Sequence, residues 1–125
     1  APPVAERARL DAVARAFRAA GHAVSRIQDS CGFVVQRVLA NLVNVSCDIA
    51  QQRIASPADI DSAVQRGLGY PRGPLAWGDA IGSARVLAIL ERLHAFYLEP
   101  RYRPSPWLRR RAGLGVSLTT PELEL

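Results

Sequence analysis

The sequence predicts an all-α helical bundle with a short helix-and-strand remnant in front of it. Three observations predict it. Apolar residues recur at three- and four-residue spacing almost throughout, and after residue 30 with no competing alternation. The connections between these stretches are short and built from Ser, Gly and Pro. Hydrophobic residues make up 49% of 125, enough for the core of one domain, while no apolar run approaches the ~20 residues that cross a bilayer.

The first predicted helix runs from Ala5 to Ala20, with Leu10, Val13, Phe17 and Ala20 at helical spacing and Gly21 as its stop. His22–Ile27, HAVSRI, is short and strand-like. A lone strand leaves its backbone donors and acceptors unpaired, so it must pair with another copy, pair with chain outside this sequence, or lie irregular. The N-terminus, APPVAERARL, lacks the basic and apolar regions of a signal peptide and reads as the cut edge of a longer protein.

Asp29 and Ser30 offer cap chemistry for the longest helix, expected from about Gly32 to Ile54. At 100° per residue Arg37, Asn41, Asn44, Asp48 and Gln51 form one polar stripe, which reads as the solvent side. Gln36 does not belong to it. It falls about 100° away, among Leu39, Ala40, Val43 and Cys47, and so stands out as a polar group on the apolar side. Ser56 then caps a helix with Pro57 at its first position and Asp59 in its first turn, ending near Gly67. GLGYPRGP (67–74) makes a rigid corner before a short helix from Leu75 to Ile81. Ser83 is expected to cap a longer one that buries Val86, Leu87, Ile89, Leu90, Leu93, Phe96 and Tyr97. Proline-rich EPRYRPSP leads to a final turn or two around Trp107 and Leu108, and SLTTPELEL has no strong pattern.

All 16 basic residues are Arg and the net charge is +5. They are spread along the chain and read as solvated helix faces. The one cluster, Arg109–Arg111 beside Trp107, is where a phosphate-bearing partner would bind, and nucleic acid and membrane are otherwise not expected as partners. Cys31 and Cys47 on one helix would be roughly 24 Å apart, too far for a disulfide. Free thiols fit a reducing cytoplasm. No metal site is expected, because no CxxC or His/Cys cluster is present. His22 and His94 read as structural or surface residues, no carboxylates are paired for acid–base work, and GxGxxG, P-loop, GxSxG and HExxH patterns are missing.

Three stretches in this order carry more. DSCGFVVQRVL (29–39) is followed by ASPADIDSAVQRGLGYPRGPLAWGDAIG (55–82) and PRYRPSPWLRR (100–110). Together they strongly resemble the C-terminal helical domain of the NAD-dependent 3-hydroxyacyl-CoA dehydrogenases, over about residues 15–112. The resemblance implies an enzyme of fatty acid metabolism that oxidises L-3-hydroxyacyl-CoA to 3-ketoacyl-CoA with NAD. It places the dinucleotide site and a His–Glu base in a preceding domain. To the helical domain it assigns closure of the acyl-CoA cleft and much of a homodimer interface. Residues 1–28 are then expected to be the end of that dinucleotide-binding domain or a linker, 29–112 the helical domain, and 113–125 a tail.

The family's first long helix carries a GFVxNR pattern whose Asn reaches the substrate carbonyl. Position by position that Asn falls on Gln36. Gln keeps the amide but sets it one methylene further out. The ending AGLGVSLTTPELEL also departs from the family's Gly-rich GRKxGxGFY segment. Both features resemble the second, C-terminal copy of the domain in tandem-domain members, which implies a degenerate site at Gln36 and no dehydrogenase activity for this chain alone. A helical homodimeric interaction module without a redox role is the alternative.

Overall fold

The computed structural model describes residues 4–123, which contain helices and no strand. The chain divides into two compact units, Ala1–Phe33 and Val34–Leu125.

In the first unit α1, Arg7–Ala19, closes with a paired C-terminal motif in which the Gly21 and His22 N–H groups donate to Arg18 O and Phe17 O, both at 3.0 Å. Leu10, Val13, Ala14 and Phe17 line one wall of a groove of about 200 Å³, and Val24 and Ile27 line the other. Arg26 bonds Asp11 at 2.5 Å, and this hydrogen bond holds the Asp11 carboxyl below the usual carboxylate range. The strand of the predicted remnant is not formed. His22–Ile27 lies irregular, because no neighbouring strand is present among the described residues to pair its backbone.

The second unit is a bundle around α2, Val35–Gln51, which packs against α3 (Pro57–Leu68), α4 (Pro74–Ile81), α5 (Ser83–Tyr97), a 3₁₀ turn (Pro100–Tyr102) and α6 (Pro106–Leu114). Ala40, Val43, Cys47 and Ala50 of α2 meet Ile60, Leu75, Val86, Leu90, Trp107, Leu108 and Leu118 in one buried cluster. This all-α architecture is the predicted one.

Two starts differ from the sequence expectation. α2 begins three residues later than Gly32, with Val34 at its N-cap and no side-chain cap, so Asp29 and Ser30 do not serve it. Ser83 is the first residue of α5 and not its cap: Gly82 takes that place, its carbonyl accepting from Arg85 and Val86. By contrast, Ser56 caps α3 as expected, its hydroxyl accepting the Asp59 N–H at 3.2 Å. On α5, Phe96 is exposed where burial was expected, since the helix ends one residue later and Leu98 turns the chain away at φ 55°.

Asp61 of α3 caps a different helix. Its carboxylate accepts from Leu75 and Ala76 N–H at 2.8 and 3.0 Å, satisfying two orphan donors at the start of α4. This contact needs Gly73, because a Cβ there would lie 2.1 Å from Asp61 Cγ. Gly78 admits the end of the chain in the same manner: its Cβ would meet Leu118 Cδ1 at 2.4 Å and Val43 Cγ1 at 2.7 Å. Leu118 is fully buried. Asp79 fixes it by accepting from Leu118 N–H at 2.8 Å and Ser117 Oγ at 2.5 Å, while Trp107 Nε1 donates to Leu118 O at 3.0 Å. The segment after α6 therefore belongs to the core, although its sequence shows no pattern.

Candidate functional site

The first turn of α2 carries the residue singled out by the sequence. Val34, Val35 and Val38 are 51%, 67% and 57% exposed, and Gln36 among them is exposed as well. The Gln36 amide has no hydrogen-bond partner among the described residues. Gln36 is thus not packed among Leu39, Ala40 and Val43. It stands exposed in the first turn of α2.

Arg37 takes the opposite course. Expected on the solvent side, it is half-buried, donates from Nη1 to the Tyr97 hydroxyl at 3.1 Å, and sets its guanidinium 5.8 Å from the Tyr97 ring centroid. One turn on, Asn41 is half-buried with its Oδ1 shielded and unpartnered. Asn44 is 2% exposed: its Nδ2 donates to Arg103 O at 2.9 Å and its Oδ1 accepts from Ser105 N–H at 2.8 Å.

The predicted polar stripe therefore points inward in its first half, and the apolar residues Val38 and Val45 point out. The reason lies in the chain between α5 and α6. Pro100, Pro104 and the αL residue Leu98 prevent a continuous helix there, so its backbone groups need side-chain partners when covered. An asparagine supplies a donor and an acceptor together. Sequence periodicity alone missed this, yet one signal was available: two of the stripe's five members are uncharged asparagines, which tolerate burial when bonded. Between α2 and this connection lies a groove of about 610 Å³, lined by Arg37, Val38, Leu42, Val45, Tyr97 and Tyr102 among others.

The arginine cluster is engaged within the chain. Arg109 pairs with Glu91 at 2.9 Å; Arg110 bonds Glu122 at 2.6 Å and Gln51 at 2.9 Å; Arg111 stacks on the Trp107 ring, 3.1 Å from its centroid, and donates to Thr120 O. Burial lowers the Arg111 pKa. His94 Nδ1 lies 3.1 Å from Glu99 O, and His22 rests against Phe17. Among the described residues no three of His, Cys, Asp and Glu gather to hold a metal, and no helix is long and apolar enough to cross a membrane.

Both cysteines are free, and burial pushes the Cys47 thiol up to about 12, while Cys31 is half-exposed. The thiolate is the reactive species. At pH 8 a thiol reagent is expected to modify Cys31 alone in the folded chain, and Cys47 only after denaturant is added. Equal native rates at both positions would contradict the packing of α2.

A family model described as 3-hydroxyacyl-CoA dehydrogenase, C-terminal domain, matches residues 32–117. The 3-hydroxyadipyl-CoA dehydrogenase of Escherichia coli (strain K12) is 45% identical over 94 residues, covering 75% of this chain and 20% of the relative. A probable 3-hydroxybutyryl-CoA dehydrogenase of Bacillus subtilis (strain 168) is 36% identical over 110 residues, 88% of this chain and 38% of the relative. Among solved structures, an (S)-3-hydroxybutyryl-CoA dehydrogenase from Ralstonia eutropha superposes with a TM-score of 0.87 at 28% identity, covering 94% of this chain and 44% of that one. The chain thus spans between a fifth and somewhat under half of the length of these relatives.

Proposed function

This chain belongs to the 3-hydroxyacyl-CoA dehydrogenase C-terminal domain family, and we propose that it is the cleft-closing and dimer-forming part of an enzyme that oxidises L-3-hydroxyacyl-CoA to 3-ketoacyl-CoA. Two observations support this reading: the match over residues 32–117 and the exposure of the Gln36 amide. An exposed, unpartnered amide in the first turn of α2 suits a cleft wall. The amide Nε2–H orients a thioester-borne carbonyl by hydrogen bonding.

The described residues do not fit NAD. A pyrophosphate is held by N–H groups at a helix N-terminus after a Gly-rich turn. The two Gly-x-Gly stretches here, at 67–69 and 113–115, close α3 and α6, with Gly69 and Gly115 as C-caps at φ 67° and 66°. They present the negative end of the helix dipole, which repels phosphate. The dinucleotide and the base that removes the hydroxyl proton belong to the remainder of the enzyme, with residues 1–28 as the end of that domain or the linker to it. Leu118, buried in the core, ties the segment after α6 to the helical domain.

The dimer surface is assigned to the α2 face of exposed Val38 and Val45 and half-buried Leu42, with the Tyr97–Tyr102 groove beside it. Sedimentation at micromolar concentration is expected to show a dimer, and Leu42→Glu a monomer. A wild-type chain that stays monomeric would remove this assignment. For the function itself, the purified chain is expected neither to bind NAD nor to oxidise NADH with acetoacetyl-CoA. Here the exposed Gln36 amide is read as working and not as the degenerate site that the change from Asn implied: joined to its dinucleotide-binding half the chain should do both, and Gln36→Leu should then abolish turnover. Appreciable NADH oxidation by the chain alone would refute the division of labour.

A further inference from the structure

Arg37 and Tyr97 join the first turn of α2 to the last residue of α5. We propose that they are positioning residues, a bracket that fixes the place at which α2 presents the Gln36 amide. This rests on the reading that Gln36 faces the acyl-CoA cleft.

The first turn of α2 lacks the usual restraints. No side chain caps it and no acidic residue lies in it, so its leading N–H groups have no partner inside the helix and the turn is prone to fray. Gln36 lies in this turn on an exposed surface, and its side chain touches no restraining polar group among the described residues. A glutamine also has one more rotatable bond than an asparagine, so its amide is harder to hold still. Catalytic geometry tolerates displacements of only about half an ångström.

Arg37 is the adjacent residue, and its hydrogen bond to Tyr97 is the polar tie from this turn to the rest of the bundle. The far end of the tie is firm. The Tyr97 ring lies 5.5 Å from the ring of Tyr102, which is 7% exposed, and 4.8 Å edge-on from Phe96. Tyr102 is in turn covered by the Arg101 guanidinium at 6.0 Å, and Arg101 pairs with Glu99. Leu98 reverses the chain right after Tyr97, with its N–H bonded to His94 O at 2.8 Å, so the tyrosine sits on a closed helix end and not on a loose one. A planar guanidinium bonded to a hydroxyl whose ring lies tilted against a buried ring has few alternative arrangements. Holding Arg37 then holds the backbone from which Gln36 projects.

The test uses the dehydrogenase that contains this chain, following NADH oxidation by acetoacetyl-CoA. Tyr97→Phe removes the acceptor and keeps the ring and its stacking. It is expected to lower kcat about tenfold, with KM for the thioester and the thermal midpoint unchanged. Arg37→Ala should lower kcat comparably, and the double variant should be no worse than either single one, because both remove the same tie. Wild-type kcat in Tyr97→Phe, additive losses in the double variant, or a rise in KM at constant kcat would each overturn the bracket. Gln36→Leu separates the two levels. Full turnover in Gln36→Leu overturns the cleft reading and the bracket together. Lost turnover in Gln36→Leu with normal Tyr97→Phe overturns the bracket alone.

Discussion

Replacing Trp107 by alanine is expected to destabilise the helical unit by about 3–5 kcal/mol, the range for emptying a large aromatic site in a core. Trp107 is 3% exposed and lies at the junction of three elements. Its indole packs with α2 and α5 residues in the core, its Nε1 holds Leu118 O, and its face carries the Arg111 guanidinium. Alanine would open a cavity, orphan a buried carbonyl and leave a buried cation over empty space. For a chain of this size the melting midpoint should fall by more than ~10 °C. Trp107→Phe isolates one part of the loss: most of the packing stays, the hydrogen bond goes, and about 1–2 kcal/mol is expected. Urea unfolding of both variants measures this. A Trp107→Ala chain that unfolds within ~1 kcal/mol of wild type would mean that the segment after α6 is not docked as described.

The second large effect is expected at Asn44. Leucine keeps the number and branching of the side-chain heavy atoms but has bulkier methyl groups, so Asn44→Leu removes the polarity and adds some crowding. The substitution leaves the Arg103 carbonyl and the Ser105 N–H covered and unpaired. At about 1–3 kcal/mol for each orphaned group, a loss of roughly 3 kcal/mol is expected in equilibrium unfolding. Asn44→Asp gives a pH signature. Burial raises the pKa of the introduced carboxyl, and only its protonated form can donate to Arg103 O. The stability of this variant is therefore greatest at acid pH and lost as pH rises through the raised pKa, the reverse of an exposed ion pair. A variant equally stable at pH 4 and pH 7 would show that the site is open to water.

The legibility of this chain differs from element to element. α3 was readable to the residue at its start, because Ser56, Pro57 and Asp59 act within one turn and nothing distant enters. The same holds for the Gly-Pro corner, where proline fixes φ whatever surrounds it. At α2 the helix and its core face, Ala40, Val43 and Cys47, follow from spacing. Its polar face does not. Periodicity divides a helix into an apolar and a polar side but does not say which side meets solvent when a proline-rich connection elsewhere needs hydrogen-bond partners. Arg37 and Asn44 were drawn inward for that reason, and Val38 and Val45 were left outside. The end of the chain was illegible on similar grounds: Leu118 is one leucine in a patternless run, and its burial depends on the gap at Gly78.

The candidate site shows the same division. The order of the GFVVQR, Pro-Ala-Asp-Ile-Asp and Gly-Tyr-Pro-Arg-Gly-Pro stretches identified the family and put Gln36 at the position of interest, since a motif is a property of sequence. Its surroundings were inferred with the wrong sign. Gln36 was expected within the apolar side and is exposed, and the neighbour expected in solvent is tied to Tyr97, sixty positions away.

By itself, then, the sequence determined the family, the number and order of the helices after residue 30, and the residues that close most of them. These depend on interactions spanning three or four positions, which the order of residues specifies directly. Only the tertiary structure decided which face of α2 is covered, how Leu118 enters the core, and that Arg37 beside Gln36 bonds Tyr97. Those outcomes come from pairing buried donors and acceptors across distant parts of the chain, where the cost of one unpaired group outweighs the local preference of any single helix face.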